Sequence, residues 1–208
     1  MKRSRINLIA GFSCLLIATI EAKPVVKKKL LLVHKNRSAD SLDSVRHSTN
    51  CKRIAAVLER HYGLPSRVLQ AIGMVESSLC PWTVCVGVNG RRFKSRQAAE
   101  SYLNGWIRTH GTKRSDCYIG CMQLSYRCHR RHFRQDNLLD PFQNMDYAAR
   151  LIKKFYRRYG NWEQAIQSYH SIGTFASERY AHRVISMWRK ITPSDQLYVL
   201  SAALRTAA

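Results

Sequence analysis

Between residues 50 and 191, apolar side chains recur at the 3.6-residue spacing of an α-helix in one segment after another. Ile54, Val57, Leu58 and Tyr62 share a face from about Asn50 to Tyr62, and Gly63 is a C-terminal stop. Leu64-Pro65-Ser66 restarts the chain, with Ser66 as candidate N-cap. Val68, Leu69, Ile72, Val75 and Leu79 then line a second helix that stops before Pro81. A third is expected from Ser95 to about His110, burying Ala98, Tyr102, Trp106 and Ile107. Asp140 and Pro141 are the N-cap and first residue of a long helix. Its stripe is Met145, Ala148, Ala149, Ile152, Phe155 and Tyr159, and it ends at Gly160. Asn161 caps the next, which buries Trp162, Ala165, Ile166 and Tyr169; the last, about Ser177 to Ile191, buries Tyr180, Val184 and Trp188. One segment breaks the pattern. Val84, Val86 and Val88 alternate before the turn dipeptide Asn89-Gly90, which predicts a small β-hairpin within 82–94, and 111–120 reads as loop. The fold class is therefore α+β, predominantly α-helical, in a single domain over 48–192.

The flanks differ. Lys2, Arg3 and Arg5 precede an apolar stretch, Ile6 to Ile20, and then Glu21-Ala22-Lys23. This reads as a signal peptide over 1–22 cut after Ala22, so the protein is expected to be periplasmic or secreted. The alternative is an uncleaved anchor, for which the stretch is short; membrane contact is expected only through this segment, if it is kept. Residues 23–47 read as a basic tether and 193–208 as a C-terminal tail. The formal charge of +22 calls for an anionic partner, be it nucleic acid, membrane surface or wall polymer. Six cysteines follow the signal: Cys51, Cys80, Cys85, Cys117, Cys121 and Cys128. In an exported chain an even number points to disulfides, with Cys80–Cys85 a candidate local pair. Cys117, Cys121, Cys128, His129 and His132 can also be read as a zinc cluster, but their spacing fits no compact zinc pattern, so no metal is expected.

Against this background Glu76 is out of place. At about 100° per residue, it lies roughly 80° from Val68, between Ile72 and Leu69, on the apolar face of its helix. A carboxyl there is desolvated, and its pKa rises toward the range a general acid needs at neutral pH. The competing reading is a structural carboxyl tied to an arginine or a helix end.

Four segments decide between these. Ala71-Ile72-Gly73-Met74-Val75-Glu76-Ser77-Ser78 resembles the Glu-Ser segment of Slt-type lytic transglycosylases. Gly120-Cys121-Met122-Gln123-Leu124 resembles their Gly-Leu-Met-Gln-Leu motif, Asp140-Pro141-Phe142-Gln143-Asn144 their Asp-Pro-x-x-Asn helix opening, and Ala165-Ile166-Gln167-Ser168-Tyr169-His170 their Ala-x-x-x-Tyr-Asn segment. They stand in family order over about residues 50–190. The resemblance implies a lysozyme-like domain with Glu76 as catalytic acid/base. It implies that Ser77 holds the site together, that Gln123 lines the sugar groove with Met122 packed beneath it, and that the Tyr169 hydroxyl lies near the glutamate. Two departures stand out: Cys121 replaces a leucine, and His170 replaces an asparagine and is a candidate substrate contact. Asp140 and Asn144 are expected to serve structure.

The implied reaction is non-hydrolytic cleavage of the MurNAc-β-1,4-GlcNAc bond of peptidoglycan to 1,6-anhydroMurNAc, with no cofactor. A hydrolytic lysozyme or chitinase needs a second carboxylate, for which Asp116 is the nearest candidate. Further rivals are a non-catalytic wall-binding protein and a nucleic-acid binder using Arg127, Arg130, Arg131 and Arg134. Export and the lack of a nucleic-acid motif oppose the last. The expected partner is peptidoglycan, with secretion or conjugation machinery of the envelope as a candidate second, and a monomer is expected.

Overall fold

The computed structural model describes residues 42–87, 89–111, 117–133, 138–170 and 175–205. The signal segment, most of the tether, Val88, Asp116 and Arg134 lie outside the described residues. Helix α1 (Cys51–Tyr62) is capped by Asn50, whose side chain accepts from Arg53 N, and closed by Gly63 at φ 58°. Helix α2 (Val68–Ser77) leads into strands β1 (Thr83–Val86) and β2 (Asn89–Arg92) and then helix α3 (Arg96–His110). Strands β3 (Cys117–Ile119) and β4 (Leu124–Ser125) run into the short helix α4 (Tyr126–His129). Four helices complete the described chain: α5 (Pro141–Tyr159), α6 (Trp162–His170), α7 (Phe175–Ile191) and α8 (Leu197–Arg205). The class is α+β and predominantly helical, as the periodicity requires.

The expected hairpin is half of a larger element. The strands form an antiparallel sheet in the order β2-β1-β3-β4, so part of the expected loop over 111–120 is a strand. Val86 pairs with Asn89, so Asn89-Gly90 lies in the strand, and Gly87 takes φ 58° before it. In α3 the buried residues are Ala99 and Leu103, while Ala98 is exposed and Tyr102, Trp106 and Ile107 are half-buried. The buried stripe is narrower than expected and turned by one residue, because large aromatic rings reach the core from its flanks.

The core joins α1, α2, α5, α6 and α7 through residues including Ile54, Leu58, Leu69, Ile72, Met145, Ile152, Tyr180 and Trp188. Packing extends beyond both expected limits. Val45 is fully buried, and in α8, after Pro193, Leu200 is buried too. Short apolar runs there show no period, so the sequence reads both as parts of flanking segments. Cys51 and Cys121 form a disulfide, whereas Cys80 and Cys85 stay unpaired, contrary to the local pairing considered above. The bridge also removes Cys121 from the zinc reading; among the described residues no group of three His, Cys, Asp or Glu is placed to hold a metal.

Candidate functional site

Helix α2 presents the acid, and an unexpected residue anchors it. Ser66 is not its N-cap. Arg67 is, in the left-handed region at φ 70°, with no side-chain cap bond. The buried Glu59 carboxylate of α1 takes that role instead, accepting from Arg67 N at 2.8 Å, Leu69 N at 2.9 Å and Gln70 N at 3.2 Å. A helix start leaves its first N–H groups without partners, and an acid there meets both their hydrogen bonds and the helix dipole. Burial pushes the Glu59 pKa up, against the pull of those N–H groups. Glu59→Ala is expected to lower unfolding stability by about 2 kcal/mol, read as a shift in denaturant midpoint at constant slope.

At its other end α2 stops at Ser77. Ser78 and Leu79 are both left-handed, and Leu79 N donates to Gly73 O at 3.0 Å, folding the chain back. A Cβ on Gly73 would come within 2.6 Å of the Leu79 side chain, so a larger residue there would push the Leu79 methyl aside. Leu79 is thus not part of the helical stripe assigned to it; it covers the helix end.

Glu76 occupies the last turn, partly exposed. Tyr180 Oη of α7 donates to its Oε1 at 2.6 Å. Burial raises the Glu76 pKa to about 7, while the Tyr180 hydrogen bond and the Arg183 guanidinium pull it the other way. Among the described residues, no carboxylate is among the groups that move it. The Glu76 charge in turn pushes both Tyr169 and Tyr180 further above their ordinary range, beyond what burial does.

The Gly120-Cys121-Met122-Gln123 segment is the turn between β3 and β4, closed by Gln123 N donating to Gly120 O at 3.2 Å. Three clamps hold it. Ser77 Oγ donates to Cys121 O at 2.7 Å, joining turn to acid helix. Tyr169 Oη donates to Met122 O at 2.7 Å. Buried Asn144, in the first turn of α5, accepts from Met122 N at 2.9 Å and donates to Ile119 O at 2.9 Å and Leu138 O at 3.1 Å. Gly120, at φ 81°, has no room for a Cβ, which would meet the Asn144 amide at 2.5 Å. Met122 is fully buried, and Gln123 is partly exposed at φ 45°, its amide nitrogen bonded to Gly120 O at 2.9 Å and Thr83 O at 3.2 Å.

The expected residues therefore meet in one bonded array. Ser77 ties Glu76's helix to the turn bearing Met122 and Gln123, and Tyr169 ties that turn to α6. His170 is exposed and stacks on the Tyr180 ring, 4.7 Å between centroids. Burial of its ring and the nearby Arg183 hold its pKa below the usual value. The hydroxyl that bonds Glu76 belongs to Tyr180, while that of Tyr169 is committed to a backbone carbonyl. Sequence reasoning placed Tyr180 only in the core, since its ring shares a helical stripe with Val184 and Trp188. Glu59 carried a readable signal, because it stands four residues after buried Ala55, on an apolar face like Glu76.

Two clefts flank α2. One, about 570 Å³, opens at Glu59 and touches none of the expected site residues. The other, about 550 Å³, lies between α2 and α7 and is lined by Val75, His182, Arg183, Ser186, Met187 and Lys190.

A family model described as the transglycosylase SLT domain matches residues 54–184, from Ile54 of α1 to the buried Val184 of α7. Neither the search of curated proteins nor that of solved structures gives a match.

Proposed function

The chain belongs to the transglycosylase SLT domain family, whose members act on peptidoglycan, and on that premise we propose that it cleaves the MurNAc-β-1,4-GlcNAc bond with Glu76 as its single acid/base. The observation that carries this reading is a carboxyl of pKa about 7, held by a phenol at 2.6 Å, with no second carboxylate among the described residues moving it. Such a group is present as both acid and base at neutral pH, which suits one residue that must act in both senses.

In the first step protonated Glu76 donates its proton to the glycosidic oxygen, the C1–O bond breaks, and the neighbouring N-acetyl group stabilises the electron-poor C1. In the second, carboxylate Glu76 takes the proton of the same sugar's C6 hydroxyl, whose oxygen bonds to C1. The products are 1,6-anhydroMurNAc and a free GlcNAc 4-hydroxyl. Water is not consumed, and no cofactor enters. Tyr180 fixes the carboxyl and Ser77 fixes its distance from the turn. Gln123, with its amide nitrogen tied down, offers its oxygen to the sugar over Met122. Tyr169 holds the turn, and His170, exposed on the Tyr180 ring, contacts substrate from the rim. We assign Asp140 and Asn144 to structure.

Digesting peptidoglycan and weighing the muropeptides tests this. Products one water lighter than hydrolytic ones support the reading, and reducing-end products overturn it in favour of a hydrolase.

Tyr180→Phe separates position from chemistry. Since the Tyr180 hydrogen bond lowers the Glu76 pKa, its loss raises it. The acid must be protonated, so kcat/KM falls as pH rises through the Glu76 pKa; the variant's alkaline limb is expected to move to higher pH, with a loss of about tenfold in rate at the optimum. An unmoved limb would show that Tyr180 does not act on the carboxyl.

The proposal includes export through residues 1–22 and action in the cell envelope, where the Cys51–Cys121 bridge is at home. We take the protein as a monomer whose basic 23–47 segment is a docking arm for secretion or conjugation machinery.

A further inference from the structure

We infer that the cleft at the Glu59 end of α2 is a docking site for an acidic segment of a partner protein. Lys52, Arg53, Arg60 and Arg67 line it against one acid, Glu59. Arg53 and Arg60 stand seven residues apart in α1, so they share a face, about 10 Å apart along its axis. Ala56, between them, leaves the hollow open. Among the described residues, none of Lys52, Arg53 and Arg60 forms an ion pair with a carboxylate. Arg67 joins them from the start of α2, its guanidinium held by donating to Ile191 O at 2.7 Å. The Glu59 carboxylate is committed elsewhere: it is buried and accepts from Arg67 N, Leu69 N, Gln70 N and Gln70 Nε2. The first N–H groups of α2 are thereby met, so the attraction for an anion comes from the four cationic side chains.

Concave walls of one charge concentrate the field between them. A spacing of roughly 10 Å is the length of about three extended peptide residues, so the two α1 guanidinium groups match carboxylates a few residues apart. Each can take a carboxylate through two parallel hydrogen bonds. Gln70 discriminates between kinds of anion. Its amide nitrogen goes to Glu59 Oε2 at 3.2 Å, which leaves its oxygen to accept from a ligand. A peptide brings N–H donors to that oxygen, and a phosphodiester brings none. A second copy of the chain is opposed by charge, since each carries +22. The position suits docking rather than chemistry. Glu76 lies eight residues beyond Val68 in α2, roughly 12 Å along the helix, so an occupant of the cleft leaves the acid uncovered.

Titrating the full chain against a fluorescent hexaglutamate peptide at physiological salt tests this. A chain of such charge attracts any anion, so two double reversals of equal charge are compared. One is Arg53→Glu with Arg60→Glu in the cleft. The other is Lys94→Glu with Arg108→Glu, at exposed positions before and within α3. The cleft pair is expected to weaken peptide binding about tenfold, and the α3 pair less than about twofold. The neutral pair Arg53→Gln with Arg60→Gln is expected to fall between, and it carries the same comparison if the reversed cleft pair does not fold. Equal weakening by the cleft and α3 pairs, or no peptide binding at all, overturns the inference. Tighter binding to phosphatidylglycerol vesicles than to hexaglutamate, lost only in the cleft pair, overturns it in favour of a lipid headgroup. Release of anhydro products from isolated peptidoglycan is expected to be unchanged in the cleft pair. A loss of cleavage that parallels the loss of peptide binding would make the cleft part of the substrate groove and overturn docking. Peptide binding by a chain that cleaves nothing supports the docking site and defeats only the transglycosylase reading.

Discussion

Glu76→Gln is expected to lower the rate of anhydro-product release by about 10³-fold, because the amide neither donates the proton to the glycosidic oxygen nor takes it from the C6 hydroxyl. The same substitution is expected to strengthen the fold at alkaline pH. In the folded chain Glu76 has a pKa of about 7 against 4.5 for an ordinary glutamate, so folding tightens its hold on the proton. Its contribution to stability is present in full below 4.5 and is lost as pH rises through about 7, a change of about 3 kcal/mol that glutamine does not undergo. Urea midpoints of wild type and variant should therefore diverge between pH 5 and pH 8, with the variant higher at pH 8. Activity within tenfold of wild type would move the acid elsewhere in the chain. Parallel pH profiles of stability would show the carboxyl to be solvated.

Asn144→Ala is expected to destabilise the protein by about 4 kcal/mol. One side chain satisfies three buried backbone groups, Met122 N–H and the carbonyls of Ile119 and Leu138, and is itself fully buried. Alanine leaves all three without their partner, at about 1–3 kcal/mol each before relaxation, and adds a small void. Asn144→Asp keeps the acceptor for Met122 but loses both donors, so it should fall between. Because Asn144 fixes the turn, both variants should also lose activity below their unfolding midpoints. A midpoint change worth less than about 1 kcal/mol would mean that water replaces the amide without loss.

The helices were legible because each buries a stripe along a regular period, and period is what a sequence displays. Met145, Ala148, Ala149 and Ile152 are all fully buried, and the Asp140 and Asn161 caps make their expected bonds to Gln143 N and Gln164 N. Short elements carry no such redundancy. β3 and β4 have three and two residues, and their pairing depends on partners far along the chain. The same limit applies to the cap of α2, where the capping carboxylate comes from the preceding helix and Ser66 offered a plausible local substitute. The candidate site residues come from the family resemblance, and the structure brings Glu76, Ser77, Met122, Gln123, Tyr169 and His170 together. Tyr180 escaped because a ring on an apolar stripe hides where its hydroxyl points.

The Cys51–Cys121 bridge closes a covalent ring in the chain, and the site is divided by it. Glu76, Ser77 and the first half of the turn are inside the ring, while Tyr169, Tyr180 and Arg183 come from helices outside it. If α6 and α7 open locally, at less than the cost of global unfolding, the acid and the turn stay tethered to each other. The helix that desolvates Glu76 has then gone, its carboxyl returns toward the ordinary value, and at neutral pH it is ionised. A half-opened molecule thus keeps Glu76 in place but without a proton to give. Under the proposed function the arrangement fails safe: partial unfolding yields an idle protein rather than an unregulated cutter of the wall.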